Sequence, residues 1–265
     1  MIVLFHELTA ALYLAAGLLA GVGLAAPAPR LVRASALVLA TGAVVHGIAF
    51  AAFHLAAEPP PLTDLPAAVS LMVWLGVLFY LALLVRVRIA ALVVGVAPLA
   101  FLGVFFAALR FPHSAEAPFV GVESSWPHAH VLLASAGFGC LAVASLAGIA
   151  FLAEDRRLKT KRPMAGRIRL PTLEALDRVN AVALAAGFPI LTLGVLSGLL
   201  WVDASTGRFW TGSAHETWSV IAWAVYAGLV AARFWFHHGS RRAAVSAIAG
   251  FGFLLFAVVG VGLLA

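Results

Sequence analysis

Eight apolar stretches, most of about 20 residues or more, occupy nearly all of this 265-residue chain and leave few folds open to it. In hydrocarbon no water satisfies backbone N–H and C=O groups, so a spanning segment must close its own hydrogen bonds, as a helix does. The stretches run over residues 3–25, 31–57, 66–85, 89–109, 128–153, 179–202, 215–236 and 243–264. They predict an all-α polytopic membrane bundle of eight transmembrane helices, forming a single integral-membrane domain over residues 1–265. A mean hydropathy of +1.06 with 11% charged residues excludes an ordinary soluble domain. The start, Met1-Ile2-Val3-Leu4-Phe5-His6-Glu7, has no Lys or Arg, and the run behind it is long for a cleaved leader, so it is taken as the first helix.

Charge assigns the loops to sides. Of the 17 Lys and Arg, all but Arg110 and Arg208 fall in the loops after the first, third, fifth and seventh stretches. The alternate loops carry Glu58, Asp64, Glu116, Glu123 and Asp203. Basic residues stay on the cytoplasmic side of short loops, so both termini and the acidic loops are expected on the outer face of a bacterial cytoplasmic membrane, in a multi-pass arrangement. The same clustering explains the net charge of +6 without nucleic acid, leaving membrane lipid as the partner of the basic side. Cys140 is the only cysteine, so no disulfide, redox pair or thiolate metal cluster forms within one chain.

Between the fifth and sixth stretches, Leu170-Pro171-Thr172-Leu173-Glu174 reads as a cap opening a short amphipathic helix. Pro189 inside the sixth stretch predicts a kink. Gly17 with Gly21, and Gly194 with Gly198, have the small-xxx-small spacing that lets helix backbones approach.

Nine histidines are many for so apolar a chain, and the topology distributes them unevenly. His6, His54, His113, His128, His130 and His215 fall at or near the outer boundary, whereas His237 and His238 fall on the basic side. His46 lies two turns deeper than His54 on roughly the same helix face, and an ionisable group inside a span is a functional candidate by default. By depth, His6, His54, His130 and His215 are compatible with one another, and two imidazoles are what a six-coordinate haem iron requires. Without carboxylate or thiolate spacing such as HExxH, haem suits these imidazoles better than zinc or copper. His130 and His46 are the candidate axial ligands to haem iron, with His54 and His215 as further candidates. Ser213 with Glu216 three residues on forms a capping-box pattern at the start of the seventh helix. Trp210, Trp218 and Trp223, with Arg208 beside them, would offer a porphyrin an aromatic shelf and a cation for a propionate.

Several segments, taken in order, resemble the cytochrome c assembly protein family of the CcsA/HemX type. They are Ser125-Trp126-Pro127-His128-Ala129-His130-Val131, Leu170-Pro171-Thr172-Leu173-Glu174-Ala175-Leu176-Asp177, Gly187-Phe188-Pro189-Ile190-Leu191-Thr192-Leu193-Gly194, and His215-Glu216-Thr217-Trp218 through Tyr226. The resemblance covers about residues 120–260, and more loosely the first four helices through Val44-Val45-His46-Gly47. The family's larger members handle haem at the outer face with a tryptophan-rich segment between flanking histidines. By resemblance His130 matches the histidine before that segment, and Trp210, Glu216, Trp218 and Trp223 match positions in and after it. Thr206, Gly212 and Ser213 stand where the full motif has Trp, Trp and Asp, Ala231 stands at an expected helix-seven histidine, and the chain ends at Ala265 before a second flanking histidine. The resemblance thus points to the reduced, HemX-like branch lacking the full motif.

Three functions follow as expectations. One is non-covalent, b-type haem binding in cytochrome c biogenesis, with a membrane partner subunit and apocytochrome c as partners and no catalytic constellation of the chain's own. The second is a HemX-like regulator of haem synthesis. The third, from another class, is a small-molecule transporter, for which Pro98 and Pro189 are the only hints of broken helices. A retinal protein is excluded, since Lys159 and Lys161, the only lysines, lie in a loop.

Overall fold

In a computed structural model the described residues are 2–55, 62–111, 126–160, 170–236 and 239–260, with side chains left undescribed at residues 2, 53, 54, 259 and 260. They form eight helices: α1 (Ile2–Ala25), α2 (Pro29–His54), α3 (Leu65–Arg86), α4 (Val93–Arg110), α5 (Trp126–Lys159), α6 (Leu173–Thr206), α7 (Ala214–Phe234) and α8 (Ser240–Leu255). A 3₁₀ turn at Ala90–Leu92 precedes α4, and a π turn at Phe256–Gly260 ends the described chain. All eight helices are long and apolar enough to cross a membrane, and no strand occurs among the described residues. His113, His237, His238, Glu58, Glu116, Glu123, Lys161 to Arg169 and the end of the eighth stretch lie outside the described residues, as does the His54 side chain.

Two helices run past the spans expected of them. α5 and α6 each have 34 residues, about 51 Å of helix against a hydrocarbon core of about 30 Å. The short amphipathic helix expected after Pro171 is not a separate element. Thr172 caps α6, its hydroxyl accepting from Ala175 N–H at 3.2 Å, and the helix continues unbroken to Thr206. A good N-cap followed by an uninterrupted apolar register propagates one helix rather than two.

α5 is the most buried of the eight and packs against α3, α6 and α8. Glycine makes those contacts close. A Cβ on Gly139 would stand 2.6 Å from Gly76 N in α3, one on Gly137 would stand 2.7 Å from Leu191 N in α6, and one on Gly148 would stand 2.9 Å from the Ala244 carbonyl in α8. Without a hydrophobic drive between helices, such backbone proximity supplies the dispersion contact that holds a membrane bundle. Buried Asn180 adds a polar tie, donating from Nδ2 to the Ala144 carbonyl at 2.9 Å.

α1 and α2 pack together and onto α4, with Gly17 of α1 against Pro98. Gly21, its expected partner in a small-xxx-small pair, faces open space. α1, α2 and α3 meet at one end through buried polar side chains. The opposite, basic end is clipped by Arg233–Asp177 at 2.7 Å, joining α7 to α6, and by Arg241–Asp155 at 3.7 Å, joining α8 to α5.

Candidate functional site

A cavity of about 510 Å³ opens among α3, α5, α6, α7 and α8. Its volume is that of a small-molecule pocket, and its walls have the usual character of one, mostly apolar with a few placed polar groups. His130 and His215 both line it, together with Ser135, Trp201 and Glu216.

His130 owes its place to the second glycine pair. A Cβ on Gly194 would meet Ala134 N at 2.8 Å, and one on Gly198 would meet His130 Nδ1 at 2.7 Å, so only glycine lets α5 lie this close with an imidazole between the helices. The His130 Nδ1–H then donates to the Gly194 carbonyl at 2.8 Å. A carbonyl can only accept, which fixes the tautomer: Nδ1 carries the proton and Nε2 keeps its lone pair. A backbone carbonyl behind the far nitrogen is the usual support of a metal-ligating histidine. The Trp201 ring lies against the imidazole at 6.0 Å between centroids.

His215 reaches the same cavity from the first turn of α7. Ser213 caps that helix, its Oγ accepting from Glu216 N–H at 3.2 Å. The Glu216 carboxylate accepts from Thr211 N–H at 2.8 Å, Gly212 N–H at 3.1 Å and the Thr211 hydroxyl at 2.5 Å. It folds the preceding loop onto the helix start, and Gly212 takes the φ of +81° that this turn requires. Glu216 is thus a loop clamp more than a reciprocal capping-box partner.

The Ser135 hydroxyl, fully buried on the cavity wall, has no hydrogen-bond partner among the described residues. Such a group costs free energy unless something in the cavity satisfies it. Just before α3, beside the cavity residues Thr63 and Leu65, burial pushes the Asp64 carboxyl above the usual aspartate range.

The remaining expected residues lie elsewhere. Trp223 donates from Nε1 to Thr192 Oγ1 at 3.0 Å and stacks on Phe188, tying α7 to α6. Trp218 packs against Phe253 and Phe256. Trp210 and Arg208 are exposed on the loop. None of the four lines the cavity, and the ring beside His130 is Trp201.

His46 sits apart from the cavity, fully buried among α1, α2 and α3. Its Nδ1 meets the Tyr13 hydroxyl at 3.2 Å and its Nε2 meets Ser70 Oγ at 2.8 Å. His6 Nε2 reaches the same Ser70 oxygen at 3.0 Å. The rings of Phe50, Trp74 and Phe111 surround the pair. Ser70 and Tyr13 had no signal in the sequence, being a lone hydroxyl and a lone phenol inside apolar runs.

Comparison with known proteins adds identity to this geometry. The model of the family described as cytochrome C assembly protein matches residues 62–265. A cytochrome c biogenesis protein CcsA from Prochlorococcus marinus (strain MIT 9303) is 29% identical over 234 residues, covering 77% of this chain and 73% of that protein. The CcsA of Mesostigma viride is 26% identical over 229 residues, covering 77% and 74%. That of Parasynechococcus marenigrum (strain WH8102) is 31% identical over 183 residues, 60% of each chain.

Proposed function

Because this chain belongs to the cytochrome c assembly protein family, we propose that it acts in cytochrome c biogenesis by holding haem in the cavity between His130 and His215. The observation that carries this reading is the locked tautomer of His130, which keeps the Nε2 lone pair on a ring that lines a cavity a second imidazole also lines. Haem is cargo here, handed on to apocytochrome c, and the chain works with a membrane partner subunit that supplies what the reduced loop lacks.

The cavity's donors suit that cargo. Iron in haem takes imidazole nitrogen in its axial positions, and the apolar walls suit a porphyrin face. His130 would ligate through Nε2, with the Gly194 carbonyl raising its basicity through Nδ1–H. His215, held at the start of α7 by the Ser213 cap, would be the second ligand. Trp201 would pack beside the ring. His46 holds polar partners on both nitrogens in a different part of the bundle, so the pairing favoured is His130 with His215. The histidine end of the bundle faces outward in the cytoplasmic membrane, where apocytochrome c is met.

The visible spectrum of full-length protein purified after expression with ample haem tests this reading. A Soret band is expected in the wild type and in His46→Ala, and its loss or shift in His130→Ala and in His215→Ala. A band of undiminished intensity and position in the His130→Ala/His215→Ala double variant would overturn the assignment.

A further inference from the structure

The Ser135 hydroxyl is left out of the fold's own hydrogen bonding. Inside a helix, a serine or threonine hydroxyl commonly turns back to a carbonyl three or four residues earlier. Thr9, Thr192 and Ser197 do so here, donating to the carbonyls of Phe5, Phe188 and Gly194 at 2.7, 2.8 and 2.9 Å. Ser135 does not: it is fully buried on the cavity wall, and its Oγ meets no partner among the described residues. A hydroxyl in that state destabilises the empty protein and gains a partner only from what enters the cavity.

Its position says what kind of group that partner is. α5 and α7 run the same way, each antiparallel to α6, as the contacts of Gly198 with His130 and Gly194 with Ala134 and the ties Thr192–Trp223 and Asp177–Arg233 require. On α5, Ser135 lies five residues past His130, about 7.5 Å further from the helix start. On α7, Ser219 lies four residues past His215, a spacing that keeps both on one face, and both line the cavity. The imidazoles form one layer, and the two hydroxyls form a second layer below it. Met72, Leu191 and Leu254, which also line the cavity, belong to a buried apolar cluster. No lysine or arginine lines the cavity among the described residues, and its one carboxylate is Glu216, at the start of α7.

The inference rests on the haem reading. The only hydrogen-bonding groups on the rim of that porphyrin are its propionic side chains. Between apolar walls without a cation, a carboxylate costs far more than its acid, so the carboxyl is held protonated. Its O–H donates and its C=O accepts, and a serine hydroxyl can answer both. We propose that Ser135 and Ser219 bind the propionic acid groups of haem as neutral hydrogen-bonded pairs, setting the porphyrin with its carboxyl edge below the imidazole layer. Arg208, exposed on the loop, takes no part in holding them.

Titrating full-length protein in detergent with haem and with iron octaethylporphyrin, which carries ethyl groups and no carboxyl, tests this through the Soret band. One neutral hydrogen bond is worth a factor of about five, so Ser135→Ala and Ser219→Ala should each weaken haem binding about fivefold and leave the octaethyl compound within about twofold of wild type. The ligand-free thermal midpoint of Ser135→Ala should be unchanged or raised, because the substitution removes an unpaired hydroxyl. A lowered midpoint would mark a structural serine and count against the proposal. Folded variants that lose affinity for both porphyrins equally, or for neither, overturn it and leave haem binding standing. A wild type that takes up neither porphyrin overturns the haem reading and this inference together.

Discussion

Gly198 lies under His130, and its missing side chain lets the imidazole reach the Gly194 carbonyl. In Gly198→Ala the new Cβ would stand 2.7 Å from Nδ1 and displace the ring. Overpacking costs about 1–3 kcal/mol, offset by up to ~1 kcal/mol of helix propensity. The expected outcome is a modest fall in thermal midpoint in detergent with a large loss of haem retention. Gly21→Ala is the control, since nothing lies within 4 Å, and there the same propensity term should raise the midpoint. Tyr13→Phe leaves His46 Nδ1 without its partner and should cost about 1–3 kcal/mol, read as lower thermal stability with an unchanged Soret band. Depth along the helices groups His130 and His215 with His6 and His54 and sets His46 deeper. It is silent on which imidazoles share a cavity, because helix rotation relative to distant neighbours decides which way a side chain points. Ser70 and Tyr13 escaped for the same reason, as each gains meaning only from the helix opposite.

α7 is the least buried of the helices and depends on its ends for definition. At the N-terminus Ser213 caps it and Glu216 gathers Thr211 and Gly212. At the other end Arg233 meets Asp177. Losing the cap in Ser213→Ala should cost about 0.5–2 kcal/mol, and Glu216→Gln, which keeps the shape but loses the charge, should weaken all three loop hydrogen bonds. Hydrogen exchange at residues 207–217 is the measurement: faster exchange confined to that segment is expected in both variants, and His215 should hold haem less tightly as its helix start frays. The capping pattern was plain in the sequence because it is local. The unbroken α6 was not, since the cap at Thr172 reads as opening a short amphipathic helix separate from the sixth span, whereas the helix it starts continues for 34 residues. Where α3 meets α5, Gly139→Ala sets a Cβ 2.6 Å from Gly76 N, backbone against backbone. No rotamer relieves that contact. This variant should be destabilised at or above the upper end of ~1–3 kcal/mol, read as a lower midpoint and a loss of monodisperse protein.

At the scale of the whole bundle, the two ends differ in chemistry: one carries His6, His46, His130, His215 and the cavity, the other the clips Arg233–Asp177 and Arg241–Asp155 and most of the arginines. Cytoplasmic retention of basic loops would set the histidine end outward, and the haem proposal requires that orientation, because an outward cargo site must open away from the basic side. Cys140 is the sole cysteine and is buried in α5, so a Cys140→Ala background permits single-cysteine labelling. Arg208 and Arg242 are both exposed and sit at opposite ends of the bundle. In sealed spheroplasts a membrane-impermeant maleimide should label Arg208→Cys and leave Arg242→Cys unlabelled until the membrane is permeabilised. The inverse pattern would turn the cavity toward the cytoplasm, away from any apocytochrome c on the outer face. It would leave the haem-synthesis regulator as the function consistent with the fold.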